Sequence, residues 1–242
     1  MSYRNRHECK FVVPERTAQL VMRRVQPFVR PDPHAEARPN HAYPIASLYL
    51  DDSRRSLYHE TQDGLAFRYK LRVRSYSDAP SSPVFLEVKR RHDRVVQKLR
   101  CALPRDLLGD VLAGRAVDLP GATPARVAAL AEFQRLVQLR RAQPTVIVRY
   151  ERQAYVGLDD DEVRVTADRH LAALPMTRPE VWVESPGFVG ASVRDVVLEL
   201  KFTDRCPPWM AEAIRSCQLR RQSFSKYCTA LETLADAGVA IR

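Results

Sequence analysis

Hydrophobic and polar positions alternate along several short stretches of the chain, and each alternation predicts a strand. The clearest runs from Phe67 to Arg74, where Phe67, Tyr69, Leu71 and Val73 interleave with Arg68, Lys70, Arg72 and Arg74. Strand side chains alternate between faces, so these cations are assigned to one face and the apolar set to the other. The same pattern sets Glu87 and Lys89 against Val84, Leu86 and Val88. It sets Lys98 and Arg100 against Val95, Leu99 and Cys101, and Glu199 and Lys201 against Leu198, Leu200 and Phe202. Shorter runs oppose Glu8 and Lys10 to Cys9 and Phe11, and Arg164 to Val163 and Val165. With Ile45–Asp51 and Thr145–Arg152 the total is about eight strands, and short connections favour antiparallel pairing.

Helical spacing of apolar residues predicts helices at Pro14–Val25, Arg105–Leu112, Pro124–Arg140, Pro208–Leu219 and Ser225–Ala237. Thr123 and Pro124 suit a cap and first residue, and Gly238 suits a stop. Proline- and serine-rich stretches at Arg30–Pro44, Ser75–Pro83 and Asp118–Pro124 read as loops. None is long enough to mark a domain linker.

The charged strand faces admit two readings. An antiparallel sheet often has one face in water, with Glu-x-Lys supplying weak cross-strand ion pairs. Alternatively the sheet closes on itself, with polar faces inward and helices covering the apolar faces outside. Two like charges ~4 Å apart repel by roughly 4 kcal/mol at an effective dielectric near 20. A closed cationic interior therefore needs an anion, and Arg and Lys suit phosphate oxygens. Carboxylates among them suit a divalent cation, since Mg²⁺ and Mn²⁺ bind carboxylates together with substrate phosphates.

Composition narrows the partners. In 242 residues, 39 Lys and Arg oppose 29 Asp and Glu, a net charge of +10 that favours polyanions. The basic residues alternate along strands rather than clustering with exposed aromatics, which argues against nucleic acid. No apolar run is long enough for a membrane span, and Met1–Glu8 lacks the apolar core of a signal peptide. The five cysteines lack a C-x-x-C pair and read as free thiols in a reducing, cytoplasmic setting. Glycine-rich phosphate loops and hydrolase elbows are absent. Ser225-Lys226 opens the last helix, where free N–H groups and a hydroxyl suit an anion and a lysine is otherwise disfavoured.

Several motifs together resemble a known family. They are Tyr3-Arg4 with Glu8-Cys9-Lys10-Phe11, Ser47-Leu48-Tyr49-Leu50-Asp51, Lys70-Leu71-Arg72-Val73-Arg74-Ser75-Tyr76, Phe85-Leu86-Glu87-Val88-Lys89, Lys98-Leu99-Arg100, Leu198-Glu199-Leu200-Lys201-Phe202 and Ser225-Lys226-Tyr227. Their order resembles the VTC domain, the polyphosphate polymerase domain of the vacuolar transporter chaperone complex. That domain occurs also in bacteria and belongs to the triphosphate tunnel metalloenzymes. The resemblance implies a single domain over residues 3–236. Its fold would be α+β, a closed eight-stranded antiparallel tunnel barrel with helices packed outside.

The implied activity is metal-dependent transfer of the ATP γ-phosphate to inorganic polyphosphate. A hydrolase of the same fold and a non-catalytic polyphosphate-binding module remain as alternatives. By motif position, Arg72, Arg74, Lys89 and Lys226 would be catalytic. Lys10, Lys98, Arg149, Arg164, Lys201 and Ser225 would bind phosphates. Glu199 would hold Mn²⁺ or Mg²⁺, with Glu87 and Glu8 as further metal candidates. ATP and polyphosphate are the implied partners, and association with a membrane protein is compatible. The chain departs from the hydrolase opening Glu-x-Glu-x-Lys, reading Arg6-x-Glu8-x-Lys10, and carries Ser223 where the polymerase tends to have a basic residue.

Overall fold

The structure, a computed structural model, describes residues 6–92, 95–191 and 195–241. Tyr3 and Arg4 lie outside the described residues. In chain order the elements are β1 (Arg6–Val13), α1 (Glu15–Val25), β2 (Val29–Pro31), β3 (Ala42–Asp51), α2 (Ser56–Gln62), β4 (Phe67–Ser75), β5 (Val84–His92) and β6 (Val95–Leu103). There follow α3 (Leu108–Leu112), α4 (Pro124–Arg140), β7 (Gln143–Gly157), β8 (Arg164–Pro175), β9 (Val189–Gly190), β10 (Val196–Thr203), α5 (Pro208–Ser216) and α6 (Lys226–Asp236). The five expected helices are present, the second of them as a 3-10 turn (Arg105–Leu107) followed by the short α3. Thr123 caps α4 as expected, its side chain accepting from the Arg126 N–H.

The chain packs as two compact units. The first comprises Met1–Tyr43, Tyr150–Leu171 and Ser192–Phe224. In it the strand order is β1-β10-β8-β7, with β2 paired to β7. The apolar faces of β1, β8 and β10 (Phe11, Val165, Ala167, Leu198, Leu200) form a core with Ala18, Val21 and Val25 of α1 and Met210 and Ala213 of α5. The second unit comprises Pro44–Arg149, Ala172–Ala191 and Ser225–Arg242. Its strand order is β7-β3-β4-β5-β6. Leu48, Leu71, Val73, Leu86, Val88 and Cys101 pack there against Phe133, Leu136 and Val137 of α4. The apolar stripes of β4, β5 and β10 are buried at Leu71 and Val73, at Val84, Leu86 and Val88, and at Leu198, Leu200 and Phe202, whereas Phe67 at the start of β4 is 69% exposed.

Two expectations about the sheet are corrected. Among the described residues it has ten strands and no ladder joins β1 to β6, so it is not closed into a barrel. The extra strands β2 and β9 are three and two residues long, too short to show a period. A closed cationic interior is expected to need an anion. Instead, carboxylates on the same sheet faces pair with the cations directly. Nor do all helices cover apolar faces. Tyr227 of α6 stacks on Tyr49, 4.9 Å between ring centres, and Tyr49 shares the strand face of Arg72. α6 therefore sits on the polar side of β3 and β4.

Asp51, at the end of β3, fixes this corner. Its Oδ1 accepts from the Leu57 N–H at 2.9 Å, and its Oδ2 accepts from the Tyr58 N–H at 3.0 Å and the Tyr227 hydroxyl at 2.6 Å. Those bonds start α2, a seven-residue helix in which only Leu57 is buried and which shows no apolar stripe in the sequence. Burial and the Asp51 carboxylate push the Tyr227 phenol far above its ordinary pKa, so it stays a donor. Tyr227→Phe removes one bond to a charged acceptor, a loss of about 1.5–3 kcal/mol. The expected fall in melting temperature is about 4–10 °C by thermal denaturation; an unchanged transition would show that Asp51 holds the corner without it.

Candidate functional site

The polar face of the second unit is a ladder of cations. Antiparallel register places Lys70 opposite Lys89, and Lys89 opposite Lys98. The next rung along the strands is Arg72, Glu87 and Arg100, and beyond it Arg74 faces Phe85. Directly opposed side chains lie ~5 Å apart. Adjacent like charges then repel by roughly 3 kcal/mol at an effective dielectric near 20.

Glu87 offsets that repulsion at its centre. The residue is fully buried. Its Oε2 accepts from Arg72 Nε at 2.7 Å and lies 2.7 Å from Arg72 Nη2 and 4.0 Å from Arg74 Nε. Its Oε1 lies 2.6 Å from Lys98 Nζ and 3.5 Å from Arg100 Nε. Burial alone would raise its pKa; Arg72, Arg74 and Lys98 outweigh burial and hold the carboxyl well below the usual range. Lost hydration, together with Arg72 and Arg74, brings Lys98 down to about 8 against the pull of Glu87.

The cations are oriented by neutral groups. Arg72 Nη1 donates to the Tyr49 hydroxyl at 3.3 Å. The charges of Arg72 and Lys70 outweigh burial and lower the Tyr49 pKa. Lys70 Nζ donates to Ser225 Oγ at 2.6 Å, the same oxygen that caps α6 by accepting from the Cys228 N–H at 3.3 Å. Lys226 opens that helix and is buried. The structure thus brings together Arg72, Arg74, Lys89, Lys98 and Ser225 of the residues selected from sequence, with the buried Lys226 following Ser225 in the chain. Arg149, also in this unit, is not brought to the group: it pairs with Glu184 at 2.6 Å and lies over Phe188, which packs on the apolar core.

The first unit carries a mixed polar face. Register aligns Glu8, Lys201 and Arg164 in one row and Lys10, Glu199 and Thr166 in the next. Glu199 Oε2 is 2.8 Å from Lys201 Nζ and 3.8 Å from Arg152 Nη2, and its Oε1 is 4.0 Å from Lys10 Nζ. Lys10 Nζ also lies 3.4 Å from Glu8 Oε1 and donates to the Phe224 carbonyl at 3.0 Å. Arg164 pairs with Asp32 at 3.1 Å.

Arg152 was not selected from sequence. It is nearly buried and donates two bonds to Asp168, at 2.6 and 2.7 Å. The Asp168 charge outweighs burial and raises its pKa well above the ordinary value. The signal was parity: Arg149 and Arg152 fall on opposite faces of β7. Valines and Ile147 bury both faces of that strand, so no polar side marked which arginine to choose.

Among the described residues no cluster of three or more His, Cys, Asp or Glu is arranged to hold a metal ion. A smaller donor set does fit one. Glu8 and Glu199 sit diagonally on neighbouring strands, and the buried Thr166 Oγ1 opposite Glu199 has no hydrogen-bond partner. Mg²⁺ and Mn²⁺ need only one or two carboxylates when phosphates and water complete the shell. Glu87, with no exposure and a cation within 2.7 Å of each oxygen, does not fit one, whereas Lys10 Nζ stands 4.0 Å from Glu199 Oε1.

A family model described as VTC domain matches residues 5–235. The fold is similar to the crystal structure of a candidate adenylate cyclase from Bacillus halodurans. The TM-score is 0.50 and identity 10%, over 91% of this chain and 95% of that one. No curated protein matches this sequence.

Two outcomes follow from the Glu87 cluster. Glu87→Gln leaves the surrounding cations uncompensated, a loss of about 3–5 kcal/mol. By thermal denaturation at pH 7 the transition should fall about 8–15 °C and recover substantially with inorganic tripolyphosphate. A wild-type-like transition would deny Glu87 this role. In the wild type, a depressed carboxyl pKa means stability present above the ordinary glutamate range and lost as pH falls below it. Lys98 gives the second outcome. Its free-state pKa near 8 means that phosphate binding must recharge it at higher pH. Tripolyphosphate affinity, titrated calorimetrically, should decline above pH 8 by up to about tenfold per unit, and Lys98→Arg should flatten that decline. A flat wild-type profile would remove Lys98 from the contact.

Proposed function

Because this chain belongs to the VTC domain family, we propose that it is a polyphosphate polymerase, transferring the γ-phosphate of ATP to a growing inorganic polyphosphate chain. The observation that carries this reading is the ladder of the second unit. Arg72 and Arg74 share one buried carboxylate with Lys98, and Lys70, Lys89 and Lys98 form a row beside them. A linear polyanion matches that arrangement better than a compact one. The phosphate of a nucleic acid backbone carries one charge per unit, whereas a triphosphate concentrates several over the same length.

In the reaction, the terminal oxygen of the chain attacks the γ-phosphorus, and a new P–O–P bond forms. The bond from γ-phosphorus to the β-bridging oxygen breaks, and ADP leaves with the electron pair. The attacking oxygen is already anionic, so positioning and charge stabilisation suffice. Arg72 and Arg74 neutralise the equatorial oxygens of the transferred group, and Lys89, Lys98 and Lys226 hold the flanking phosphates. Within the first unit, Lys10, Lys201 and Arg164 form a second phosphate-binding face. Glu199, with Glu8, would hold Mn²⁺ or Mg²⁺, which when bound supplies further neutralisation of phosphate charge. Water in place of the chain end would give hydrolysis.

Incubation with ATP and Mn²⁺ tests this directly, with products resolved on a polyphosphate-stained gel and ADP assayed in parallel. Long chains should accumulate with matching ADP, and Arg72→Ala should slow the rate by about 10²–10³-fold. ADP with free phosphate and no chains would move the assignment to a hydrolase. Polyphosphate binding without ADP release would leave a binding module.

A further inference from the structure

One aromatic cluster adjoins the cationic ladder. Phe85 follows the parity of Glu87 and stands opposite Arg74, on the polar face beside the Arg72–Glu87–Arg100 rung, and Tyr76, just past the end of β4, meets it there. Their rings meet edge to face, 5.6 Å between centres at 72°. Arg100 lies over Phe85, its guanidinium carbon 3.8 Å from the ring centre and 5.8 Å from that of Tyr76. Arg100 Nη2 donates to the Tyr76 hydroxyl at 3.2 Å, and Nε lies 3.5 Å from Glu87 Oε1.

These contacts hold the guanidinium from one side and from its edge. The arginine side chain is still 39% exposed, so its outer side faces solvent. A planar cation seated on an aromatic ring, with its other face open, is a stacking platform for a nucleobase. A phosphate contact alone does not require rings beneath the arginine. The ladder's next phosphate ligands, Arg72 and Arg74, are two strands away with Glu87 between, within the reach of a nucleotide whose triphosphate lies on them.

We infer that Arg100, seated on Phe85 and Tyr76, is a base-stacking subsite that makes a nucleoside triphosphate, rather than bare triphosphate, the ligand bound at this end of the ladder. The inference rests on the reading of that face as a triphosphate site. It places the nucleotide end of the substrate at the Arg100 rung and the opposite end of the ladder, toward Lys70 and Lys89, with the remaining phosphates. Stacking tolerates any base and favours purines by area, so ATP and GTP should bind alike and more tightly than UTP.

The test compares ATP with inorganic tripolyphosphate on wild type, Phe85→Leu and Arg100→Lys by calorimetry. A parallel titration with 2-aminopurine riboside triphosphate reports stacking as fluorescence quenching. Both variants should weaken ATP about 5–20-fold relative to tripolyphosphate and relieve the quenching. Tripolyphosphate binding by each variant serves as the check that it is folded. If the ATP-to-tripolyphosphate ratio and the quenching are unchanged in both variants, the stacking subsite is overturned while the phosphate site stands. If wild type binds neither ligand, the triphosphate reading fails, and this subsite with it.

Discussion

A carboxylate fully enclosed by cations is the constraint on which the second unit depends. Without Glu87, the arginines and lysines of β4, β5 and β6 would face one another across rungs ~5 Å wide with only water to screen them. With it, Arg72, Arg74, Lys98 and Arg100 converge on two oxygens. A buried charge network of this kind is weak as a source of stability but strong as a source of geometry. It holds guanidinium groups in fixed positions before any ligand arrives, which is what electrostatic stabilisation of a transferred phosphate requires.

The polar face is tied to the fold by a short chain of contacts. Arg72 reaches the Tyr49 hydroxyl, Tyr49 stacks on Tyr227, and Tyr227 donates to Asp51, which also starts α2. Lys70 meets the cap of α6 at Ser225. Packing at this corner therefore sets the position of both the arginine and the helix that carries Lys226. The first unit handles its charges differently. Glu199 is shared among Lys201, Arg152 and Lys10, Asp168 neutralises Arg152, and the unpartnered Thr166 hydroxyl stands beside them.

Much of this was legible in the sequence because strand parity is a strong signal when one face is buried. The assignment of Arg72, Arg74, Glu87, Lys89 and Lys98 to one face needed only the alternation with Leu71, Val73, Leu86 and Val88. Long helices with an apolar stripe, such as α4, were equally plain. What stayed hidden had no periodic pattern to reveal it. α2 is specified by the Asp51 carboxylate rather than by a stripe, and β2 and β9 are too short for any period. β7 is apolar on both faces, so Arg152 could not be told from Arg149. Closure of the sheet was inferred from helices that need apolar faces to cover and from polar faces rich in Lys and Arg, and it left those cations with a cost to be met by an anion. That cost is met instead by Glu87 in one unit and by Glu199, Glu8 and Asp168 in the other, an arrangement that alternation shows but does not rank above closure. The placement of α6 on a polar face was hidden for a related reason: Tyr227 buries against Tyr49 and the Asp51 carboxylate, not against an aliphatic stripe.

The most direct measurement is a crystal structure of the protein with inorganic tripolyphosphate. The expected result is phosphate density on the β4–β6 face, with oxygens contacting Arg72 and Arg74 and a further phosphate over Lys89 and Lys98, while Glu87 keeps its place among them. Tripolyphosphate bound elsewhere on the protein, with the ladder still closed on Glu87 alone, would contradict the assignment of this face as the phosphate site.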